Sequence, residues 1–248
     1  MGVKHKAIKF MVVLLFVTQC QVLYAQNPRS PQKFANNVTK TPTVGLKGGI
    51  LMSSITGDEA LDEFAKKIGP QIGFTGALYF NPKFSVRAEI NYEWKGAKFA
   101  NQEMDMNLHY ASIPIYLKFN FTQDPEIYIY GGGYASYLFM ANTKGTYEID
   151  IDEESYINES INEDILDNLN KFDAGIVAGI GIQGRFNSAM DIFLDFRYTQ
   201  GFMNLDNGTS DLRYNFNHVA FWPEVEVDKP KLKAFMLTTG FIIYLDPR

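Results

Sequence analysis

The fold class this sequence predicts is all-β: an eight-stranded antiparallel up-and-down barrel that crosses a membrane. Three observations predict it. Apolar and polar residues alternate with period two along most of the chain after residue 43. Short and long connections alternate between those segments, as they do when all turns of one kind share a rim. An export-type leader precedes them.

The leader is residues 1–25, with Lys4, Lys6 and Lys9, an apolar run from Phe10 to Val17, and a polar stretch ending at Ala25. That is the layout of a secretory signal peptide. The apolar run is about half of the ~20 residues a membrane-spanning helix needs. Cys20, the sole cysteine, lies inside it, so the exported chain is expected to carry no disulfide and no thiol chemistry. The net charge of −5 becomes more negative once the leader's lysines are gone, which argues against nucleic acid as a partner. Residues 26–42 are polar and contain proline, and read as a flexible periplasmic tail before a barrel domain of 43–248.

The expected strands are about 43–52, 69–80, 84–95, 108–121, 126–139, 171–186, 189–200 and 233–245. The clearest is Phe84-Ser-Val-Arg-Ala-Glu-Ile-Asn-Tyr-Glu-Trp94. Phe84, Val86, Ala88, Ile90, Tyr92 and Trp94 share one face; Ser85, Arg87, Glu89, Asn91 and Glu93 share the other. Segment 171–186 opposes Phe172, Ala174, Ile176, Ala178, Ile180 and Ile182 to Asp173, three glycines, Gln183 and Arg185. Segment 189–200 opposes Ile192, Leu194, Phe196 and Tyr198 to Asp191, Asp195, Arg197 and Thr199. In 126–139, Tyr128, Tyr130 and Tyr134 oppose Ile127, Ile129 and glycines, and periodicity leaves the two faces unassigned. Turn-forming residues (Asn81-Pro82-Lys83, Thr122 to Pro125, Asn187-Ser188) close every second connection. The others, about 53–68, 96–107, 140–170 and 201–232, are long, which predicts short periplasmic turns and long extracellular loops.

Alternation alone does not say which face is wet. Strands of this length suit a tilted span of ~9–11 residues. Aromatics gather near strand ends (Tyr79, Phe80, Phe84, Tyr92, Trp94, Tyr110, Phe119, Phe121, Tyr198 and Phe202), as interfacial girdles do. Lys47, Arg87, Glu89, Glu93, Lys118, Asp173, Arg185, Asp195 and Arg197 are therefore expected to form a polar network inside the lumen. Eight strands enclose a space that side chains can fill. The alternative, a soluble exported barrel with its apolar faces inside, would bind a hydrophobic ligand, and a small pore is a further alternative.

Three stretches resemble the PorT-like, porin-family outer-membrane β-barrel proteins: Tyr110-Ala-Ser-Ile-Pro-Ile-Tyr-Leu-Lys118, Phe172-Asp-Ala-Gly-Ile-Val-Ala-Gly-Ile-Gly181 and Arg197-Tyr-Thr-Gln-Gly-Phe-Met-Asn-Leu205. The resemblance implies an eight-stranded barrel in the outer membrane of a Gram-negative cell. It implies function only coarsely: some members are accessory parts of a protein-secretion system. Partners on this reading are outer-membrane lipid and another envelope or secretion protein, with the oligomeric state left open.

No cofactor, metal or catalytic site is expected. His109 and Ser112 have opposite parity, and His218 lies in the last long loop. Asp150-x-Asp152-x-Glu154 opens like a calcium loop but lacks glycine at its sixth position and glutamate at its twelfth, so it reads as a solvated acidic loop. Ile157, Ile161, Ile165 and Leu169 recur every four residues, which allows a short amphipathic helix that either packs on the rim or presents a partner-binding stripe. Ile157, Ile161 and Ile165, with Phe221 and Trp222 of the last loop, are the candidate partner contacts.

Overall fold

The computed structural model describes residues 42–56, 64–99, 103–152, 155–187, 189–207 and 230–245. The leader, the tail, His218, Phe221 and Trp222 lie outside them. Among the described residues the strands are β1 (Thr43–Thr56), β2 (Phe64–Tyr79), β3 (Phe84–Phe99), β4 (Glu103–Asn120), β5 (Glu126–Asp152), β6 (Ser155–Asp164), β7 (Phe172–Arg185), β8 (Met190–Gly201) and β9 (Lys231–Tyr244). A single 3-10 turn, Leu166–Asn168, lies between β6 and β7.

Each strand pairs antiparallel with its chain neighbour, except that β7 pairs with β5 rather than β6. Pairing of β1 with β9 closes the barrel, Thr43 opposite Tyr244 through Thr56 opposite Lys231. Eight strands make the wall. The ninth, β6, pairs with the far half of β5, Asn142 opposite Asp164 outward to Asp152 opposite Ser155. β5 has 27 residues, far more than a tilted span needs, so its second half continues past the rim.

That hairpin corrects the helix that the spacing allowed. A repeat of four residues places side chains on one face of a helix, but it does the same in a strand, where i, i+2 and i+4 align. Four residues of the repeat cannot tell the two apart. β2, β3 and β4 also run several residues further toward the long loops than alternation indicated.

The short turns are built as their composition predicts. Asn81 Oδ1 accepts from the backbone N–H groups of Lys83 and Phe84 (2.8 and 2.9 Å), and Asn187 Oδ1 from those of Ala189 and Met190 (2.9 Å each). Thr122 accepts from Ile127 N–H at 2.9 Å and donates to the Pro125 carbonyl. These local bonds satisfy turn backbone that the sheet ladder does not reach.

The burial pattern decides which face is wet. Arg87 and Arg197 are 1% exposed and Lys118 0%, whereas Phe74 is 67% exposed, Ile90 63% and Ile115 54%. The outer face is a continuous apolar band running round the wall through Ile72, Ile113, Ile129, Ile180, Leu194 and Leu237. Monomeric soluble proteins do not present such a band to water. The outer face is lipid-facing and the lumen is polar, which settles the faces of β5 as well: Tyr128, Tyr130 and Tyr134 point in, Ile127 and Ile129 out. Tyr110, expected in the girdle, is 1% exposed and points in, as its shared parity with Ser112 requires.

Candidate functional site: the lumen and its long-loop mouth

The lumen is filled in three polar tiers. In the central tier, Arg197 on β8 reaches Glu89 on β3 with two guanidinium nitrogens, at 2.7 and 2.9 Å. Lys47 of β1 donates to the same carboxylate at 2.7 Å, and Tyr116 of β4 at 2.5 Å. Arg197 Nε donates to the Tyr130 hydroxyl (2.8 Å), which donates to Asp195 (2.5 Å). Tyr116 and Tyr130 stack at 4.3 Å, with the Arg197 guanidinium over both rings. Fork geometry lets one arginine satisfy a carboxylate and a phenol at once, which lysine could not do.

Toward the short turns, Lys118 bonds Glu126 and Gln183 (3.0 Å each), and Gln183 passes the chain to Asp191 at 2.9 Å. Arg87 donates to Gln183 at 3.3 Å and lies over the rings of Tyr128 and Phe193. Toward the long loops, Lys95 pairs with Glu93 (2.7 Å), Ser112 donates to Glu93 (2.7 Å), and Tyr134 donates to Asp173 (2.8 Å). In each tier cations sit beside carboxylates, the condition under which buried charge is tolerated.

Of the residues expected in the lumen, Lys47, Arg87, Glu89, Glu93, Lys118, Asp173, Asp195 and Arg197 are buried there. Arg185 differs: it is exposed at the short-turn rim, where β7 ends. Lys95, Glu126, Asp191, Tyr116 and Tyr130 join the network beyond the residues expected in it, Asp191 from the polar face already read in 189–200. Lys95 shares the parity of Glu93, and Glu126 lies just across the short turn from Lys118, so both carried a readable signal.

Above the third tier the mouth is apolar. Ile165, Leu169 and Leu205 turn inward and pack with Ile55, Leu108, Leu138, Ala141 and Leu232 in one buried cluster. Backbone bonds hold the incoming segments: Ile165 N–H to the Ala141 carbonyl (3.1 Å), Asn170 N–H to Leu205 (2.8 Å) and Leu205 N–H to Pro230 (2.7 Å). Of the two readings of its stripe, Ile165 follows the packing one rather than partner contact: it is 3% exposed and seals the mouth. Ile157 and Ile161 belong to β6.

A labelling experiment tests the seal. In a Cys20→Ser background, a thiol placed at lumenal Val177 (Val177→Cys) is expected to resist a water-soluble maleimide. Adding Leu169→Asp and Leu205→Asp removes two buried leucines at about 2 kcal/mol each, so labelling should accelerate more than tenfold. Equal rates would show that the cluster does not close the lumen.

His109 lies on the outer face, where its Nδ1 is 2.7 Å from the Tyr92 hydroxyl and its ring stacks on Trp94 at 5.2 Å. Ser112 points into the lumen, so the two do not meet.

Residues 24–207 match the family model described as outer membrane protein beta-barrel domain. The chain belongs to that family. Its location is accordingly the outer membrane. No curated protein sequence matches the chain. Solved outer-membrane barrels with a similar chain course include Ail of Yersinia pestis, with 13% identity over 82% of this chain and 99% of that one, TM-score 0.39. OprG from Pseudomonas aeruginosa has 14% identity over 82% and 96%, TM-score 0.44. Neisserial surface protein A has 11% over 82% and 97%, TM-score 0.42. As an outer-membrane barrel, this protein turns its long-loop rim to the cell exterior and its short turns to the periplasm.

Proposed function

We propose that this outer-membrane barrel is a non-enzymatic, non-conducting accessory protein that docks another envelope component through its long-loop rim. The observation that carries the reading is the β5–β6 hairpin. It continues beyond the wall, and among the described residues β6 pairs on one edge only. An edge strand is a template for strand addition by a partner. The sequence of this hairpin is strongly acidic (Glu148, Asp150, Asp152, Glu159, Glu163 and Asp164), which discourages self-pairing and selects a partner strand with basic residues. The lumen supports the non-conducting half of the reading, since tiers of paired charge and an apolar mouth fill it. The resemblance to PorT-like barrels makes a secretion assembly the first place to look for the partner. Phe221 and Trp222, which lie outside the described residues, are proposed as secondary contacts from the sequence alone.

The test is affinity isolation of the tagged protein from solubilised outer membranes beside a variant with the hairpin shortened. Thr146 and Ser160 are cross-strand neighbours, so an Asn-Gly turn between them trims the tip and leaves the wall and mouth in place. A stoichiometric partner lost with the tip supports docking through the hairpin; a partner retained by both forms moves the contact elsewhere. Planar-bilayer conductance of the full chain is expected to stay at background, and discrete openings would overturn the non-conducting reading.

A further inference from the structure

One lumenal cation stands apart from the others. Lys47 and Arg197 share Glu89, Lys95 pairs with Glu93, and Lys118 pairs with Glu126, all at 2.7–3.0 Å. Arg87 is buried as deeply, yet among the described residues no carboxylate forms an ion pair with it. Its hydrogen bond, at 3.3 Å, goes to the uncharged Gln183 Oε1, which Lys118 also uses at 3.0 Å. Its Nε has no partner. The rings of Tyr128 and Phe193 lie 5.8 and 5.7 Å from its Cζ, which eases the burial of a cation without supplying a counter-charge. An isolated buried charge is far costlier than a paired one.

The neighbouring carboxylates are committed to other groups. Glu126 holds Lys118, and Glu89, two residues along the same face of β3, holds Arg197, Lys47 and Tyr116. Asp191 accepts from Gln183 and Tyr244 on one oxygen, at 2.9 and 2.7 Å, so the Gln183 amide stands between it and Arg87. Its other oxygen and Asn120 Oδ1 are unpartnered acceptors, which leaves an anion the opposite side of the guanidinium. That side is the Nε side, nearest to β3. Ser85, two residues earlier on the same face, is buried there with a hydroxyl that has no partner, and the hydroxyl of Tyr128 has none either. The wall beside them carries small side chains, since β2 sets Ala77 opposite Arg87 and β1 sets Thr43 opposite Ala77.

We infer that Arg87 holds a small monovalent anion of the halide class, chloride first, in the short-turn half of the lumen. The Nε–H of Arg87 and the Ser85 hydroxyl donate to it, and the ion supplies the counter-charge that each other lumenal cation takes from a side chain. An ion of higher charge needs a second uncommitted cation, and Lys118 already serves Glu126 and Gln183. The ion enters from the periplasm. The apolar cluster closes the opposite end, whereas Ser85, Asn120 and Glu126 line the short-turn end with polar side chains.

The test uses the protein refolded in phosphatidylcholine bilayers, with bromide as the probe. Crystals grown in sodium bromide are expected to show an anomalous-scattering peak beside Arg87 Nε. In urea unfolding followed by the unboiled gel shift, about 100 mM bromide should raise the folding equilibrium constant of the wild type about tenfold over gluconate at equal ionic strength, as a dissociation constant of ~10 mM requires. Arg87→Met removes the cation and should lose that gain, which also measures any general effect of the salt. Ser85→Ala keeps the cation and should retain about threefold, and it carries the test if Arg87→Met does not refold. A wild type equally stable in both salts, a peak elsewhere, or the full gain kept in Arg87→Met would each overturn the inference, as would the full gain in Ser85→Ala where only that variant refolds. A peak at Arg87 without stabilisation would mark an adventitious ion only and overturn it as well.

Discussion

Glu89→Ala is expected to destabilise the barrel by about 3–5 kcal/mol, because it leaves the Arg197 guanidinium and the Lys47 ammonium buried without their shared carboxylate. Both cations stay 1–2% exposed, so water cannot take over the lost bonds unless the wall opens. Removing the charge entirely should behave differently. A combined Lys47→Met, Glu89→Leu, Asp195→Leu and Arg197→Met variant deletes all four charges of the central tier, two of each sign, and such replacements are close to neutral when volume is kept. The measurement is the urea midpoint of the folded, fast-migrating form in lipid bilayers. A loss below about 1 kcal/mol in Glu89→Ala would mean that Asp195, 3.6 Å from Arg197, already carries the compensation.

This contrast also explains what the sequence could and could not reveal. Alternation in 84–94 placed Arg87, Glu89 and Glu93 on one face because strand periodicity is local. The same holds for Asp195 and Arg197 on β8. Which residue meets which across the lumen is not local. Arg197 and Glu89 stand 108 residues apart, and their meeting depends on strand number and stagger, which no single segment encodes. The Tyr116 and Tyr130 hydroxyls were hidden for another reason: tyrosine is apolar in its ring and polar at its tip, so alternation left the faces of 126–139 unassigned, although in a charged lumen tyrosine acts through its phenol. The inward turn at Ile165 and Leu169 was hidden because their spacing continued that of Ile157 and Ile161, while the chain changes direction between them.

Gly179→Val is expected to cost about 3 kcal/mol or to prevent folding, the second large effect. Gly179 and Gly181 on β7 are the direct cross-strand partners of Tyr130 and Tyr128 on β5, and each ring lies over its glycine. A Cβ at either position would occupy the ring's own space, meeting Cζ and the hydroxyl oxygen. The tyrosine would have to swing away and surrender its bonds to Arg197 and Asp195, so the steric clash propagates into the central tier. Gly184, on the same strand, is the control: a Cβ there meets nothing within 4 Å, so Gly184→Val should change stability by no more than about 0.5 kcal/mol. Pairing Gly179→Val with Tyr130→Ala removes the ring that clashes, and the double variant should be less destabilised than the sum of the two single ones. Equal losses at Gly179 and Gly184 would assign the glycines a backbone role. Unequal losses with coupling to Tyr130 would assign them the space that the tyrosines, and through them the buried charges, require.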